Sequence, residues 1–88
     1  MDRRVTPFSG RVAHSSLRGR VEAEAFVAGE ALRVLWPVVA LCRGPDGAID
    51  RQLLRGDRFL VIDRQDGWAY GQSDRGDYCG WVPDGAVG

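Results

Sequence analysis

Short apolar runs separated by turn-forming residues dominate the last fifty residues of the chain, Val38 to Val87. The runs are a few residues long, and between them lie pairs that favour turns: Gly44-Pro45, Gly56-Asp57 and Asp66-Gly67. Short strands at such close spacing are typical of a small antiparallel barrel. We therefore predict a mostly β fold, with a small barrel of about five antiparallel strands.

The residues before this region have a pattern that fits either a short helix or a strand. Leu17, Val21 and Ala25 recur at every fourth position, as on one face of a helix, and Gly29 could end that helix. Over part of the same stretch, from Val21 to Val27, every second residue is apolar, as in a strand. Both interpretations remain open at this point.

The character of the sequence changes near Trp36 and Pro37, and we place the one boundary there. Residues 1–36 are predicted to form an extension that packs on a barrel made by residues 37–88. The extension is the part in which one short helix is an option.

Charge and composition narrow the possible partners. The chain has 12 basic and 12 acidic residues and no net charge, which argues against nucleic acid as a partner. No apolar run approaches the ~20 residues of a membrane span, and the basic N-terminus lacks the apolar segment of a secretory signal. Two cysteines, Cys42 and Cys79, are too few for a disulfide scaffold. We expect a cytoplasmic protein without a membrane partner, whose thiols are reduced and lie on separated strands.

No combination of residues predicts a catalytic or metal centre. His14, Cys42 and Cys79 lack the paired spacing and the fourth ligand of a zinc site. A Cys–His catalytic pair would also need a group that orients the histidine, and the spacing offers none. We therefore assign no catalytic residue, no metal ligand and no cofactor.

From Val38 onward the chain resembles an SH3-like domain of the bacterial kind. The matching segments occur in order: Val38–Cys42 for the first strand, Leu53–Asp57 for the diverging turn, Phe59–Ile62 for the next strand, Asp66–Trp68 for the opening of the third, Gly80–Pro83 for the Gly-aromatic-aliphatic-Pro signature and Asp84–Val87 for the last turn and strand. The resemblance implies an SH3-like barrel with these inward residues: Val38, Ala40, Leu53, Phe59, Val61, Gly80, Val82 and Val87.

The N-terminal third adds a second resemblance. Thr6–His14, Leu17–Ala23 and Pro37–Pro45 resemble the start of bacterial NlpC/P60 cysteine peptidases, including the dipeptidyl-peptidase VI and γ-D-glutamyl-L-diamino-acid endopeptidase group. In that group SH3-like modules precede a papain-like catalytic domain. The resemblance implies a non-catalytic accessory module that positions or recognises murein peptide for a C-terminal peptidase domain of the same polypeptide. Two alternatives remain: an SH3-type protein–protein interaction module, and a small nucleic-acid-binding barrel that the neutral charge disfavours.

Recognition of proline-rich peptides is not expected. Eukaryotic SH3 domains bind such peptides on a ladder of aromatic rings. The ladder positions correspond here to Cys42, Gly44 and Ala86, and Trp68 and Pro83 alone are retained.

A different aromatic set is available on the predicted strands. Alternation places Trp68 and Tyr70 on one face of their strand, and it points Trp81 outward if Val82 lies in the core. We predict that Trp68, Tyr70 and Trp81 contact a ligand or partner. Three arrangements are open: burial beneath the N-terminal segment, docking on the catalytic domain, and direct contact with a ligand.

Gly71 departs from the SH3-like pattern, which usually has an aliphatic residue at this inward position. The glycine leaves either a gap or room for a neighbour such as Trp36 or Phe59.

Overall fold

The computed structural model describes residues 2–45 and 47–88. These residues form eight strands: β1 (Val12–His14), β2 (Ala25–Val27), β3 (Glu30–Arg33), β4 (Val38–Cys42), β5 (Ile49–Leu54), β6 (Arg58–Gln65), β7 (Trp68–Ser73) and β8 (Cys79–Pro83). They also form three short 3₁₀ turns, Arg3–Val5, Ser15–Leu17 and Asp84–Ala86. The prediction of a small, mostly β, antiparallel fold is confirmed.

Six strands make one antiparallel sheet in the order β3-β6-β7-β8-β4-β5, while β1 and β2 pair in parallel beside it. The last residues return to the segment after β3, where Val34 and Val87 form a bridge. Backbone bonds from Arg33 to Gly88 and from Leu35 to Ala86 flank that bridge. The residues that follow β8 are thereby tied to the segment between β3 and β4.

The sheet crosses the boundary proposed from the sequence. Four of the five predicted strands correspond to β4, β6, β7 and β8, and the fifth, within Asp84–Val87, is a 3₁₀ turn followed by the bridge at Val87. Two further strands were not predicted: β5 precedes the turn expected at Leu53–Asp57, and β3 lies within residues 1–36 and pairs with β6. Leu32 on β3 is opposite Phe59, and it packs against the main core. The part of the extension that precedes the barrel sheet is therefore residues 2–29.

The helical option for the extension is wrong for the described residues. A single 3₁₀ turn, Ser15–Leu17, stands where the helix would begin, and His14 accepts a hydrogen bond from the Ser16 amide at its start. Gly19 then takes a φ of 82°, a left-handed conformation that breaks a right-handed helix. The strand alternative holds for part of the stretch, which becomes β2.

The main core fills the interior of the sheet. Leu53, Phe59, Val61, Val82 and Val87 are buried there, and so is the backbone at Gly80, as predicted.

On β4 the prediction of which residues point into the core is wrong. Val39 and Leu41 are buried, whereas Val38 is 50% exposed and Ala40 is half-buried. The reason is the register, because Val39 is directly opposite Leu53 on β5. Residues directly opposite each other in an antiparallel pair share a face, so the inward Leu53 sets Val39 inward.

Gly71 leaves no gap in the core. A Cβ atom at this position would collide with the Leu60 carbonyl and would lie 2.8 Å from a ring carbon of Phe59. Phe59 is thus the neighbour that occupies the space, and Trp36 is exposed elsewhere. The glycine allows β6 and the phenylalanine ring to approach β7 closely.

A β-bulge divides β6 between two faces of the sheet. Val61 pairs with Gly71, but the next pair joins Asp63 to Tyr70, so Ile62 is an extra residue. Val61 belongs to the main core, whereas Ile62 belongs to a second cluster with Tyr70. Since opposite residues share a face, the bulge turns Asp63 to the outer face as well.

Candidate functional site

The outer face of β6, β7 and β8 carries a second apolar cluster. Its buried members are Ile62, Tyr70, Cys79 and Trp81, and Val27, Leu60 and Trp68 pack around them. The Tyr70 and Trp81 rings meet edge to face, with centroids 5.3 Å apart. The structure therefore brings the three predicted contact residues together on one face, as strand alternation indicated.

Residues 2–17, which we call the N-terminal strap, cover this cluster. The Tyr70 hydroxyl donates a hydrogen bond to the Thr6 carbonyl and accepts one from the Phe8 amide, each at 3.1 Å. Tyr70 is 5% exposed and Trp81 is 6% exposed. Burial also raises the pKa of the Tyr70 phenol, so its hydroxyl remains a donor.

A buried carboxylate holds the strap at a second point. Asp63 is 7% exposed, and it accepts hydrogen bonds from Ser9 Oγ at 2.8 Å, Arg11 Nη2 at 2.5 Å and Gln65 Nε2 at 3.2 Å. Burial acts to raise the pKa of Asp63. The hydrogen bonds from its donors outweigh that effect and hold the pKa below its ordinary value. The charge that fixes the strap is therefore present at neutral pH.

A third, weaker contact joins the start of the strap to β5. Arg3 and Asp50 form an ion pair at 2.9 Å, and the hydrogen bond from Arg3 lowers the pKa of Asp50. The arginine is about half exposed, so this pair contributes little to stability.

Of the three arrangements open for Trp68, Tyr70 and Trp81, the structure shows burial beneath the N-terminal segment. The idea of an aromatic strip open to solvent is wrong for Tyr70 and Trp81, because the strap covers them. Trp68 is half-buried and is the one of the three that a partner could reach. Sequence reasoning missed the strap contacts, since Ser9 and Asp63 are 54 residues apart in the chain.

A different apolar surface is exposed at one end of the barrel. We call it the rim patch: Leu35, Trp36, Val38 and Leu54, which are 50%, 44%, 50% and 43% exposed. Val38 and Leu54 are cross-strand partners, and the other two residues immediately precede this point in the chain. Gly88 adjoins the patch, because a Cβ atom there would lie 3.0 Å from Leu35. The patch is not evident from the sequence, whose strand pattern suggested that Val38 lies in the core.

Cys42 and Cys79 are both buried as reduced thiols. The strands that carry them are neighbours rather than separated, because Cys42 on β4 is opposite Trp81 on β8. Burial raises the pKa of Cys79 to about 11, so this thiol is a poor nucleophile at neutral pH.

We expect thiol titration of the denatured protein without reductant to find both cysteines. In the native protein the Cys79 reaction should be slow, since about one molecule in a thousand carries the thiolate at pH 8. Ellman's reagent with and without denaturant measures both rates. Failure to find two thiols after denaturation, or rapid labelling of Cys79 in the native state, would contradict the prediction.

Within residues 2–45 and 47–88, no three His, Cys, Asp or Glu side chains converge as metal ligands. In the same part of the chain, no helix has the length and apolar composition needed to cross a bilayer.

Residues 41–87 match the family model described as the bacterial dipeptidyl-peptidase SH3 domain. The match covers more than half of the chain, from the end of β4 to the bridge that Val87 makes. No curated protein and no solved structure matches the sequence.

Proposed function

The chain belongs to the family of bacterial dipeptidyl-peptidase SH3 domains, and from this membership we propose a role in murein-peptide hydrolysis. It is an SH3-like accessory domain, which has no catalytic role of its own. In our proposal the domain positions or recognises murein peptide for a peptidase domain of NlpC/P60 type that follows it in the same polypeptide. We propose a cytoplasmic location for that enzyme.

The family match is the observation that carries the proposal. The rim patch supports the part of the proposal that concerns docking of a neighbouring domain. Clustered exposed apolar side chains mark interaction surfaces more often than isolated ones do. Trp36 has the size and polar edge of a typical interface anchor. Gly88 lies beside Leu35, so a domain that continued from there would begin next to the patch. We propose the rim patch as the docking surface and Trp68 as the aromatic that contacts peptide.

A second candidate function is an SH3-type protein–protein interaction module with a separate partner. The same rim patch favours it, since an exposed tryptophan flanked by aliphatic residues suits another protein surface equally well. The two candidates differ in whether the patch is covered by the same polypeptide or by another one.

We expect the isolated domain to leave γ-D-glutamyl-diamino-acid peptides intact. Ser16 Oγ lies 2.8 Å from His14 Nδ1, but that nitrogen also accepts from the Ser16 amide as the cap of an exposed 3₁₀ turn, which is a structural contact rather than an oriented nucleophile–base pair. In the proposed full-length peptidase, Trp36→Ala should lower kcat/KM for the same peptides by about tenfold, since it removes a docking anchor. The matched control is Ile49→Ala, which removes an exposed residue (63%) from the edge strand β5.

Peptide contact is tested separately on the isolated domain by NMR. Adding the murein tripeptide should shift the indole signal of Trp68 and leave that of the buried Trp81 in place. Unchanged kinetics in Trp36→Ala together with an unmoved Trp68 signal would contradict the proposed function. A gene that ends after this domain would favour the second candidate.

A further inference from the structure

Two arginines face each other on the barrel without a counter-charge. Arg33 on β3 and Arg58 on β6 are directly opposite in the antiparallel ladder, and both are exposed. Like charges in this position destabilise a strand pair. Among the described residues, neither arginine forms an ion pair with an acidic side chain, so the repulsion is not relieved within the barrel.

The acidic residues Asp57 and Asp74 line the same concavity as the two arginines, but neither forms an ion pair with them. Asp57 forms an ion pair with Arg75 at 2.7 Å and accepts a hydrogen bond from the Leu54 amide. The Arg33 guanidinium donates to the Gly56 carbonyl at 3.0 Å, which fixes its position at the turn between β5 and β6. Asp74 is exposed nearby and forms no ion pair with either opposed arginine.

Arg33 and Arg58 line a surface groove made of three small concavities. Two adjoining concavities of about 290 and 190 Å³ both include Arg33 and Arg58 in their walls. A third, of about 280 Å³, continues from Arg58 to Asp74 and Asp77. Each is smaller than the ~300 Å³ at which small-ligand sites usually begin, and together they offer room for a ligand the size of a dipeptide. The smallest concavity is lined by the two arginines with Ala31 and Leu32, whereas Asp57 and Asp74 join the arginines in the 290 Å³ concavity. Asp74 and Asp77 then line the third.

We propose that this groove is a binding site for a short zwitterionic peptide, with Arg33 and Arg58 holding its carboxylate. A guanidinium donates two parallel hydrogen bonds to a carboxylate, and two opposed guanidinium groups gain most from an anion placed between them. Asp74 and Asp77 lie where a peptide ammonium would be favoured. The same aspartates disfavour phosphate, which carries more negative charge and no ammonium. The proposal does not depend on a following peptidase domain.

The test uses the isolated chain and three probes at constant ionic strength: glycylglycine, N-acetyl-glycylglycine and inorganic phosphate. The side-chain Nε–H signals of arginine report binding in NMR titrations. We expect glycylglycine to shift Arg33 and Arg58 saturably, and to bind more tightly than the acetylated peptide or phosphate. Arg33→Gln and Arg58→Gln should each weaken glycylglycine binding about tenfold, because each removes a charge-assisted pair.

The matched control is Arg20→Gln, which removes another exposed arginine that forms no ion pair within the described residues. It should bind glycylglycine as the parent protein does. Both groove variants replace exposed side chains, and amide spectra verify that they remain folded. Shifts that do not saturate, equal loss in the Arg20 variant, or tighter binding of phosphate would each overturn the proposal.

Discussion

Replacing Phe59 with alanine is expected to lower the free energy of unfolding by about 3–5 kcal/mol, the usual cost of removing a buried aromatic ring. The side chain is fully buried, and its ring fills the space that Gly71 leaves on the neighbouring strand. A domain of this size has a small reserve of stability, so the variant should be largely unfolded at 37 °C. Urea denaturation followed by tryptophan fluorescence measures the loss.

Ile49→Ala is the control for that experiment, because Ile49 is 63% exposed on an edge strand. Its effect should stay within about 0.5 kcal/mol, as for most surface substitutions. A loss of stability in Phe59→Ala no larger than in Ile49→Ala would show that the barrel core does not depend on this ring.

Asp63→Asn is expected to cost about 2–3 kcal/mol, since the amide replaces a buried charged acceptor that serves donors on the strap. The affected bonds are those from Ser9 and Arg11. Loss of these bonds should also expose Tyr70 and Trp81, because the strap covers them. Urea denaturation gives the energy, and acrylamide quenching of tryptophan fluorescence gives the exposure.

The effect of Asp63 should depend on pH with a definite sign. Because its pKa is lowered in the folded state, its contribution is fully present above the ordinary value of 3.8 and is lost as pH falls through the folded-state pKa. The difference in stability between parent and Asp63→Asn should therefore shrink as pH is lowered below about 4. The control is Asp66→Asn, in an exposed turn residue whose φ of 50° asparagine also tolerates. A difference that stays constant down to acid pH would show that the charge of Asp63 does not stabilise the fold.

The sequence predicted those parts of the fold in which local pattern and packing agree. Alternation along β7 and β8 assigned the faces of Tyr70, Trp81 and Val82 correctly, because both strands are regular and pair without interruption. On β4, alternation alone did not determine which residues are buried. Val38 and Val39 are equally apolar, and the register with β5 decides which one is buried.

The candidate site was predicted only in its aromatic members, since what covers them depends on contacts between distant residues. The strap lies on β6 and β7 through Ser9, Arg11 and the Tyr70 hydroxyl, and each of these bonds spans more than fifty positions. Neither periodicity nor turn chemistry contains that information. The rim patch was missed for the related reason that an exposed valine and a buried valine look alike in the sequence.

The β-bulge at Ile62 determines which face of β6 carries Asp63, the residue that holds the strap. If β6 were regular and Ile62 took the place opposite Tyr70, strict alternation would point Asp63 into the apolar interior, where an unpaired carboxylate is costly. With the bulge, Asp63 lies opposite Tyr70 on the outer face and accepts hydrogen bonds from the strap. Deleting Ile62 would leave Asp63 opposite Tyr70 and remove an apolar member of the outer cluster, whereas a regular pairing that kept Ile62 would turn Asp63 inward and break its bonds to the strap.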